Sequence, residues 1–239
     1  MYLDTETSAM TVRCLKSEIQ CLNAVIGCTR RCEYCYARAV TKRYRVTDDF
    51  SVPRFFPDKL RILDRKRPRI YFMTGMSDFS DWKEDWIRII MDAVRDNPQH
   101  QYIFLTKSPE KLDMDCDMGN VCFGVTVTKD SEKGRIKELR RNVRAESYHI
   151  TFEPMFDRIA DVDFEGVDWI VLGTETGNRK GKAVSQRDWI QDLADSALDS
   201  GVKVFMKEDV TDIMGEENMV QELPDAYEEL RKAQKEWRK

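Results

Sequence analysis

Residues 23–40 read NAVIGCTRRCEYCYARAV, and three of the chain's seven cysteines, Cys28, Cys32 and Cys35, lie within this stretch. Their spacing is C-x3-C-x2-C, and they come directly after an apolar run that predicts a β-strand. Three thiolates on one tight loop can ligate three irons of a cubane cluster and leave the fourth iron without a protein ligand. The stretch therefore predicts a [4Fe-4S] cluster with one iron open to chemistry.

Other ligand sets remain open. An iron-sulfur cluster without further chemistry fits the same spacing, and so does a zinc knuckle that borrows Cys14, Cys21 or a distant histidine. Zinc sites usually show paired C-x2-C elements or a histidine pair, and the chain has only two histidines, His100 and His149, beside or within predicted strands. A second cluster is conceivable on Cys14, Cys21, Cys116 and Cys122, but their loose spacing favours a single cluster.

Length and composition indicate one globular domain. The 239 residues are 41% apolar and 34% charged, which is typical of a chain that buries a substantial core. No apolar run approaches the roughly 20 residues that a membrane-spanning helix needs, and the first ten residues do not have the order of a signal peptide. We therefore expect a cytoplasmic protein with no membrane partner. We expect one barrel domain over 1–239, with an N-terminal extension (1–20) and a C-terminal acidic segment plus helix (208–239).

Charge is unevenly distributed, although the formal net charge is only −4. Residues 30–69 contain thirteen Lys or Arg and five Asp or Glu, whereas residues 208–230 contain nine Asp or Glu and no Lys or Arg. Both stretches could be ordinary solvated faces. The alternative is that the basic stretch binds nucleic acid and that the acidic stretch binds a partner protein.

Short apolar runs alternate with helical patterns along the chain, which is typical of repeated βα units. The predicted strands are 22–26, 69–74, 101–106, 121–127, 148–152, 169–172 and 202–206. The predicted helices are 33–44, 82–95, 131–144, 186–200 and a last one from 224 onward. These units predict an α/β fold with a parallel (β/α) partial barrel of six core strands and a probable seventh. The active site is then expected at the carboxyl ends of the strands.

Polar groups follow nearly every predicted strand. The strand ends carry TGMSDFSD (74–81), TKS (106–108), TVTK (126–129), TFEP (151–154), GTETG (173–177) and MKED (206–209). At the rim of a barrel such groups converge on one pocket, whereas any single one could instead cap a helix.

Taken together, these segments are similar to one protein family over nearly the whole chain. The matching motifs are GCT and CYA within 27–37, MSD at 76–78, PQH at 98–100, LTK at 105–107, EP at 153–154, GTETG at 173–177 and FMK at 205–207. In this pattern the chain resembles the phage-type radical S-adenosylmethionine (SAM) proteins, including the radical SAM mobile pair proteins. It departs from them at Thr174 and Thr176, where many members carry GGESG.

The resemblance implies a partial TIM barrel of the radical SAM type, with a [4Fe-4S] cluster and SAM as cofactors. One electron from the cluster would split SAM into methionine and a 5′-deoxyadenosyl radical that abstracts hydrogen from a substrate. By this resemblance, the residues expected around the cofactor are Tyr34, Thr74, Ser77, Asp78, Thr126, Thr128 and Glu153. The residues expected to face substrate as catalytic groups are Lys107, Glu175 and Lys207. The implied partners are a reductant such as flavodoxin or ferredoxin and a second radical SAM protein.

Two classes of function follow from the sequence. The first is a radical SAM enzyme acting on nucleic acid or a nucleotide, a substrate class that is slightly favoured because basic and aromatic side chains interleave in 30–69. A peptide or small-metabolite substrate stays open. The second is a non-catalytic iron-sulfur module that regulates or scaffolds a partner protein through the acidic segment.

Overall fold

The structure, a computed structural model, describes residues 12–237. Residues 1–11 of the expected N-terminal extension and residues 238–239 of the expected C-terminal segment lie outside the described residues. The described part is built on one seven-stranded sheet in which every strand pairing is parallel. The carboxyl ends of all these strands therefore lie at one edge of the sheet.

The strands lie side by side in the order in which they occur in the chain. Because neighbours in sequence are also neighbours in the sheet, each connection crosses back to start the next parallel strand. The strands are β1 (Ile19–Cys21), β2 (Ile70–Phe72), β3 (Gln101–Thr106), β4 (Val121–Thr126), β5 (Ser147–Phe152), β6 (Trp169–Leu172) and β7 (Lys203–Met206).

The sheet curls into a half-barrel, and side chains alternate between its two faces. Within β6, Ile170 and Leu172 join a large core that we call the outer core, whereas Trp169 and Val171 join a smaller one, the inner core. The inner core also takes residues from both edge strands, β1 and β7. Because residues from opposite edges meet there, the inner core fills the concave side of the half-barrel.

Helices cover both faces of the sheet. The helices Glu84–Arg95, Gly134–Asn142 and Arg187–Asp199 contribute to the outer core, and the helix Asp225–Glu236 contributes to the inner core. None of the helices within residues 12–237 combines the length and the apolar character needed to cross a membrane. The helices are α1 (Tyr36–Tyr44), α2 (Glu84–Arg95), α3 (Gly134–Asn142), α4 (Arg187–Asp199) and α5 (Asp225–Glu236), with single turns at Leu15–Glu18 and Thr211–Met214.

Shorter elements fill the connections. Two-residue strands pair as Val25–Ile26 with Arg54–Phe55 and as Met114–Asp115 with Val143–Arg144. The 3₁₀ turns are Pro57–Asp64, Phe79–Asp81, Pro109–Lys111, Asp130–Glu132, Glu208–Val210 and Glu216–Asn218.

The predicted fold class, an α/β fold with a parallel partial barrel, is confirmed, and the seventh strand belongs to the sheet. The prediction for the first strand, 22–26, was wrong. The strand that enters the sheet is Ile19–Cys21, and Val25–Ile26 instead forms an antiparallel pair with Arg54–Phe55. Both segments are buried in part, so an apolar run alone could not distinguish the sheet from the short antiparallel pair beside it.

Candidate functional site

The three cysteines of the motif lie on one loop at the carboxyl edge of the sheet, which we call the cysteine loop (27–35). Gly27 starts the loop with a φ of 115°, a conformation open mainly to glycine, and an added Cβ would lie 2.8 Å from the Cα of Pro53. Its N–H donates to the carbonyl of Met76 beyond β2, at 2.9 Å. This glycine therefore directs the chain across the strand ends.

The cysteine thiols are free and half-buried. Cys35 caps the start of α1, where its Sγ accepts a hydrogen bond of 3.4 Å from the N–H of Arg38. Cys28 and Cys35 pack against a small apolar cluster that includes Phe50. Burial raises the pKa of the Cys28 thiol to about 12, so in the absence of a metal this thiol stays protonated at neutral pH.

Contacts from Thr29, Arg30 and Glu33 hold the cysteine loop against the ends of different strands. Thr29 donates from its N–H and its hydroxyl to Asp81 beyond β2, at 2.7 and 2.8 Å. Arg30 donates to the Lys107 carbonyl and to the Ser108 hydroxyl beyond β3. Glu33 lies 3.8 Å from the guanidinium of Arg179 beyond β6. The loop is therefore held over the mouth of the half-barrel rather than projecting from it.

Tyr34 extends this arrangement toward β3 and β5. The Lys107 ammonium lies 5.8 Å from the centre of the Tyr34 ring, and the ring of Phe156 lies 5.5 Å from it. Burial, followed by the neighbouring Cys32 thiol, raises the pKa of Tyr34. Burial also lowers the pKa of the Lys107 ammonium. Cys32, Tyr34 and Lys107 thus share one partly desolvated corner of the mouth.

No three Cys, His, Asp or Glu side chains within residues 12–237 converge on a point where one metal ion could be held. A cubane cluster differs from a single ion in this respect, because each thiolate ligates a different iron. The donor set fits that requirement, because three thiols that form no disulfide lie on one short loop and two of them pack against apolar side chains. Cys116 and Cys122 are buried apart from this loop in the outer and inner parts of the fold.

The turn after β2 has its polar atoms engaged. Asp78 is 5% exposed, and its carboxylate accepts hydrogen bonds from Thr106, from the N–H of Lys107, and from the N–H and hydroxyl of Ser80. The Thr74 hydroxyl accepts from the N–H of Leu105 at 2.9 Å. Ser77, likewise, accepts from the Trp82 indole at 2.9 Å. Thr74 and Asp78 therefore join the ends of β2 and β3, and the side chains of all three predicted cofactor residues already have partners.

The two threonines at the end of β4 differ from each other. Thr128 donates from its N–H and its hydroxyl to Glu132, both at 2.8 Å. The Thr126 hydroxyl is buried, and it has no hydrogen-bond partner among the described residues. Asn23 Oδ1, near Gly75 in the same mouth, is buried without a partner as well. Buried polar atoms usually find a partner, so these two are free to bind a ligand.

Glu153 and Lys207 lie at the ends of β5 and β7 and form an ion pair. The Lys207 ammonium also lies 2.8 Å from Asp209, whose other oxygen accepts from the N–H of Thr174. Burial opposes the charge of Lys207, but the two carboxylates outweigh it and raise its pKa. Burial raises the pKa of Glu153, although Lys207 counteracts part of the shift. Lys207 is therefore a charged, doubly paired group.

Glu175 is 6% exposed and is bound by Arg179 through two hydrogen bonds of 2.6 and 2.7 Å. It also accepts from the N–H of Ala183 at 2.8 Å. The Arg179 hydrogen bonds lower the pKa of the Glu175 carboxyl. Of the three residues predicted to face substrate, Glu175 and Lys207 are thus already paired, whereas Lys107 has no ion pair with a described residue.

Sequence reasoning missed several residues of this site. Asp209 pairs with the predicted Lys207 and lies two residues after it in the chain. Arg179 pairs with the predicted Glu175 and lies four residues after it. Short spacing of opposite charges could have signalled both pairs. Asn23 and Asp81 had no comparable signal, because their contacts to the mouth and the cysteine loop depend on the tertiary fold.

Comparison with known proteins bears on the family of the chain. No curated protein and no solved structure matches it. A family model described as "Protein of unknown function (DUF5131)" matches residues 17–230, which include all seven strands and the cysteine loop. Because the match covers most of the chain, the protein belongs to the DUF5131 family.

Proposed function

We propose that this protein is a radical SAM enzyme that holds one [4Fe-4S] cluster on Cys28, Cys32 and Cys35. The observation that carries the proposal is that these three free thiols lie on one loop, and that hydrogen bonds hold this loop across the carboxyl ends of a parallel half-barrel. Barrel enzymes place their chemistry at this edge of the sheet. In this proposal, the half-barrel is a partial barrel of the radical SAM type.

The number of thiols supports an open iron. Three cysteines ligate three of the four irons and leave one for the amino and carboxylate groups of SAM. When bound, the cluster and SAM together supply a 5′-deoxyadenosyl radical that removes a hydrogen atom from substrate. The chain's own residues orient the ligands and exclude water from the mouth.

Two unpaired buried atoms support a polar cofactor in the mouth. The Thr126 hydroxyl and Asn23 Oδ1 have no partner among residues 12–237, and a ligand with hydroxyl and amino groups would satisfy both. Glu153 pairs with Lys207 through one oxygen, and its second carboxylate oxygen, which has no ion pair within residues 12–237, is available for ribose hydroxyls. Asp78, Thr74 and Ser77 would instead shape the wall that SAM lies against, because their side chains are already hydrogen-bonded to Thr106, Leu105 and Trp82.

The rim beside Cys32 supports a substrate with bases and phosphates. Tyr34 and Phe156 lie ring to ring, with Lys107 over the first and Lys129 over the second at 5.8 and 5.4 Å. Alternating aromatic and cationic side chains bind single-stranded nucleic acid through base stacking and phosphate contacts. A nucleotide or nucleic acid is therefore the proposed substrate class.

The test is anaerobic reconstitution with iron and sulfide, followed by iron analysis and electron paramagnetic resonance. We expect about four irons per chain in the wild type and a severe loss in Cys28→Ala, Cys32→Ala and Cys35→Ala. Cys14→Ser and Cys21→Ser serve as matched controls that retain the iron. Full iron in all three motif variants would refute the cluster assignment, and stoichiometric zinc in the purified protein would indicate a zinc site instead.

A second measurement separates the enzyme from a non-catalytic iron-sulfur module. The reconstituted protein is reduced with dithionite, incubated with SAM and assayed for 5′-deoxyadenosine by chromatography. Slow formation of 5′-deoxyadenosine supports the enzyme. A fully loaded, reduced protein that never forms it would leave only the module.

A further inference from the structure

A second concave feature lies between α1 and the segment that follows it (45–50). This cavity, which we call the α1 pocket, has a volume of about 520 Å³ and is open to solvent on one side. Its walls come from one face of α1 and from the loop that leads to Phe50. The pocket is large enough for a small polar ligand. It adjoins the cysteine loop, because its lining residue Arg38 donates a hydrogen bond to the Arg30 carbonyl of that loop. The carbonyl of Phe50, which also lines the pocket, accepts one from the N–H of Cys28.

Two hydroxyl groups in the α1 pocket have no partner. Thr41 is 1% exposed, and its Oγ1 forms no hydrogen bond with any described residue. The Oγ1 of Thr47 is buried and unpaired as well. Burial of a hydroxyl without a hydrogen bond is unfavourable, and most buried side-chain polar atoms have a partner. Both are therefore candidates to donate to a ligand in the pocket.

Three cationic side chains line the same pocket: Arg38, Lys42 and Arg45. Lys42 and Arg45 form no ion pair with a residue within 12–237. Arg45 ends α1 with a φ of 50°, at a position where glycine or asparagine is usually favoured. Lys42 and Arg45 are therefore available to pair with an anion in the pocket.

The carboxylates of the pocket are already engaged. Asp48 pairs with Arg54 at 3.1 Å. Asp49 accepts from the N–H and the hydroxyl of Ser51 at 2.8 and 2.7 Å, which lowers its pKa. A divalent cation would have to displace these partners and to overcome three nearby positive charges. An anion meets the cations and the unpaired hydroxyls directly.

We infer that the α1 pocket binds a phosphate group, with the Thr41 and Thr47 hydroxyls as donors and with Lys42 and Arg45 as the charged partners. Phosphate oxygens accept several hydrogen bonds at once and favour sites that combine Lys or Arg with hydroxyls. The phosphate could belong to a free nucleotide or to a phosphodiester of a single-stranded nucleic acid. This inference does not rest on the proposed function, because phosphate binding requires neither cluster nor SAM.

The test is calorimetric titration of inorganic phosphate into the purified full chain in a phosphate-free buffer. The first variant, Thr41→Val, keeps the shape of the side chain and removes only the hydroxyl. We expect it to weaken phosphate binding roughly tenfold or more, the effect of losing one hydrogen bond to a charged group. Its melting temperature should be unchanged or higher, because an unpaired buried hydroxyl has been removed.

The second variant, Lys42→Gln, changes an exposed residue and does not depend on a buried substitution being tolerated. We expect it to weaken binding to a similar extent. Lys66→Gln is the matched control, because Lys66 is an exposed lysine of the same basic stretch that does not line the pocket, and its affinity should equal that of the wild type. Absence of saturable phosphate binding, or equal affinity in all variants, would overturn the inference. Saturable binding of magnesium alone at Asp48 and Asp49 would overturn it also.

Two further ligands distinguish the sources of the phosphate. Adenosine 5′-monophosphate and a short single-stranded oligonucleotide are titrated into the wild type and Thr41→Val. If Thr41→Val weakens the binding of only the mononucleotide, the site takes a free nucleotide. If Thr41→Val also weakens the binding of the oligonucleotide, the site takes a phosphodiester of the nucleic acid backbone.

Discussion

Lys207 and Glu153 form an ion pair across the carboxyl ends of β7 and β5, passing over the end of the strand that lies between them. That intervening strand, β6, is followed by Gly173. A Cβ at Gly173 would lie 3.0 Å from Cδ of Glu153 and 3.1 Å from Cδ of Lys207. The absence of a side chain at this position therefore lets the two charged groups meet at the mouth of the half-barrel.

We expect Gly173→Ala to destabilise the protein by about 1–3 kcal/mol, because the added methyl crowds two side chains that are held in place by charge. The measurement is the free energy of unfolding in urea. Gly134→Ala is the control: Gly134 begins α3 with open space around it, so alanine there should be neutral or stabilising. Equal stability of Gly173→Ala and the wild type would show that Glu153 and Lys207 can move apart freely.

Lys207→Met should cost about 3–5 kcal/mol at pH 7, because it leaves the largely buried Glu153 and Asp209 carboxylates without their cation. The raised pKa of Lys207 sets the pH dependence. A raised folded-state pKa stabilises the protein fully below the ordinary lysine pKa of 10.5, and the stabilisation is lost as the pH rises above that value. The difference in unfolding free energy between wild type and variant should therefore be constant from pH 7 to 9 and shrink above about pH 10. A difference that grows with pH would contradict this account.

Asp78→Asn should lower the unfolding free energy by about 1–3 kcal/mol, since an amide nitrogen would face a donor where the carboxylate now accepts. The affected bonds come from Ser80, Thr106 and the N–H of Lys107. Urea unfolding measures the loss. Asp117→Asn, at an exposed position without a hydrogen bond to a described residue, should have almost no effect. If Asp78→Asn were as stable as the control, Asp78 would be free to contact a ligand instead of joining β2 to β3.

His149 should make the protein sensitive to mild acid. The ring is buried in the concave side, 3.5 Å from the Cys122 sulfur, and burial lowers its pKa to about 4. A lowered folded-state pKa means that the unfolded chain takes up a proton first, so stability is complete above about pH 6.5 and falls as the pH decreases toward 4. The shift corresponds to roughly 3 kcal/mol across this window.

His149→Gln removes that titration. Its unfolding free energy should be lower at pH 7, because packing is lost, but should decline less steeply between pH 6.5 and 4, by up to about 1.4 kcal/mol per pH unit. The carboxylates of the protein titrate in both forms, so the comparison isolates the histidine. Parallel pH profiles for the two proteins would show that His149 is protonated as easily in the folded chain as in the unfolded one.

Much of the fold could be predicted from local patterns. The strands Gln101–Thr106 and Trp169–Leu172 lie at their predicted bounds, because each is a continuous apolar run buried on both faces of a parallel sheet. A strand that is buried on both sides consists mostly of apolar residues, so its bounds can be predicted from residue types alone. The first strand was misplaced, since the run at 22–26 owes its apolar character partly to its antiparallel pairing with Arg54–Phe55.

The sequence by itself predicted the alternation of parallel strands and helices and the position of the three cysteines after the first strand. Only the tertiary structure decided which polar side chains at the strand ends are engaged and which are unpaired. Asp78 and Thr126 both lie near the ends of apolar runs, yet the Asp78 carboxylate accepts four hydrogen bonds and the Thr126 hydroxyl has no partner among the described residues. Apolar periodicity depends on neighbours along the chain, whereas the pairing of Lys207 with Glu153, 54 residues apart, depends on the curl and register of the whole sheet.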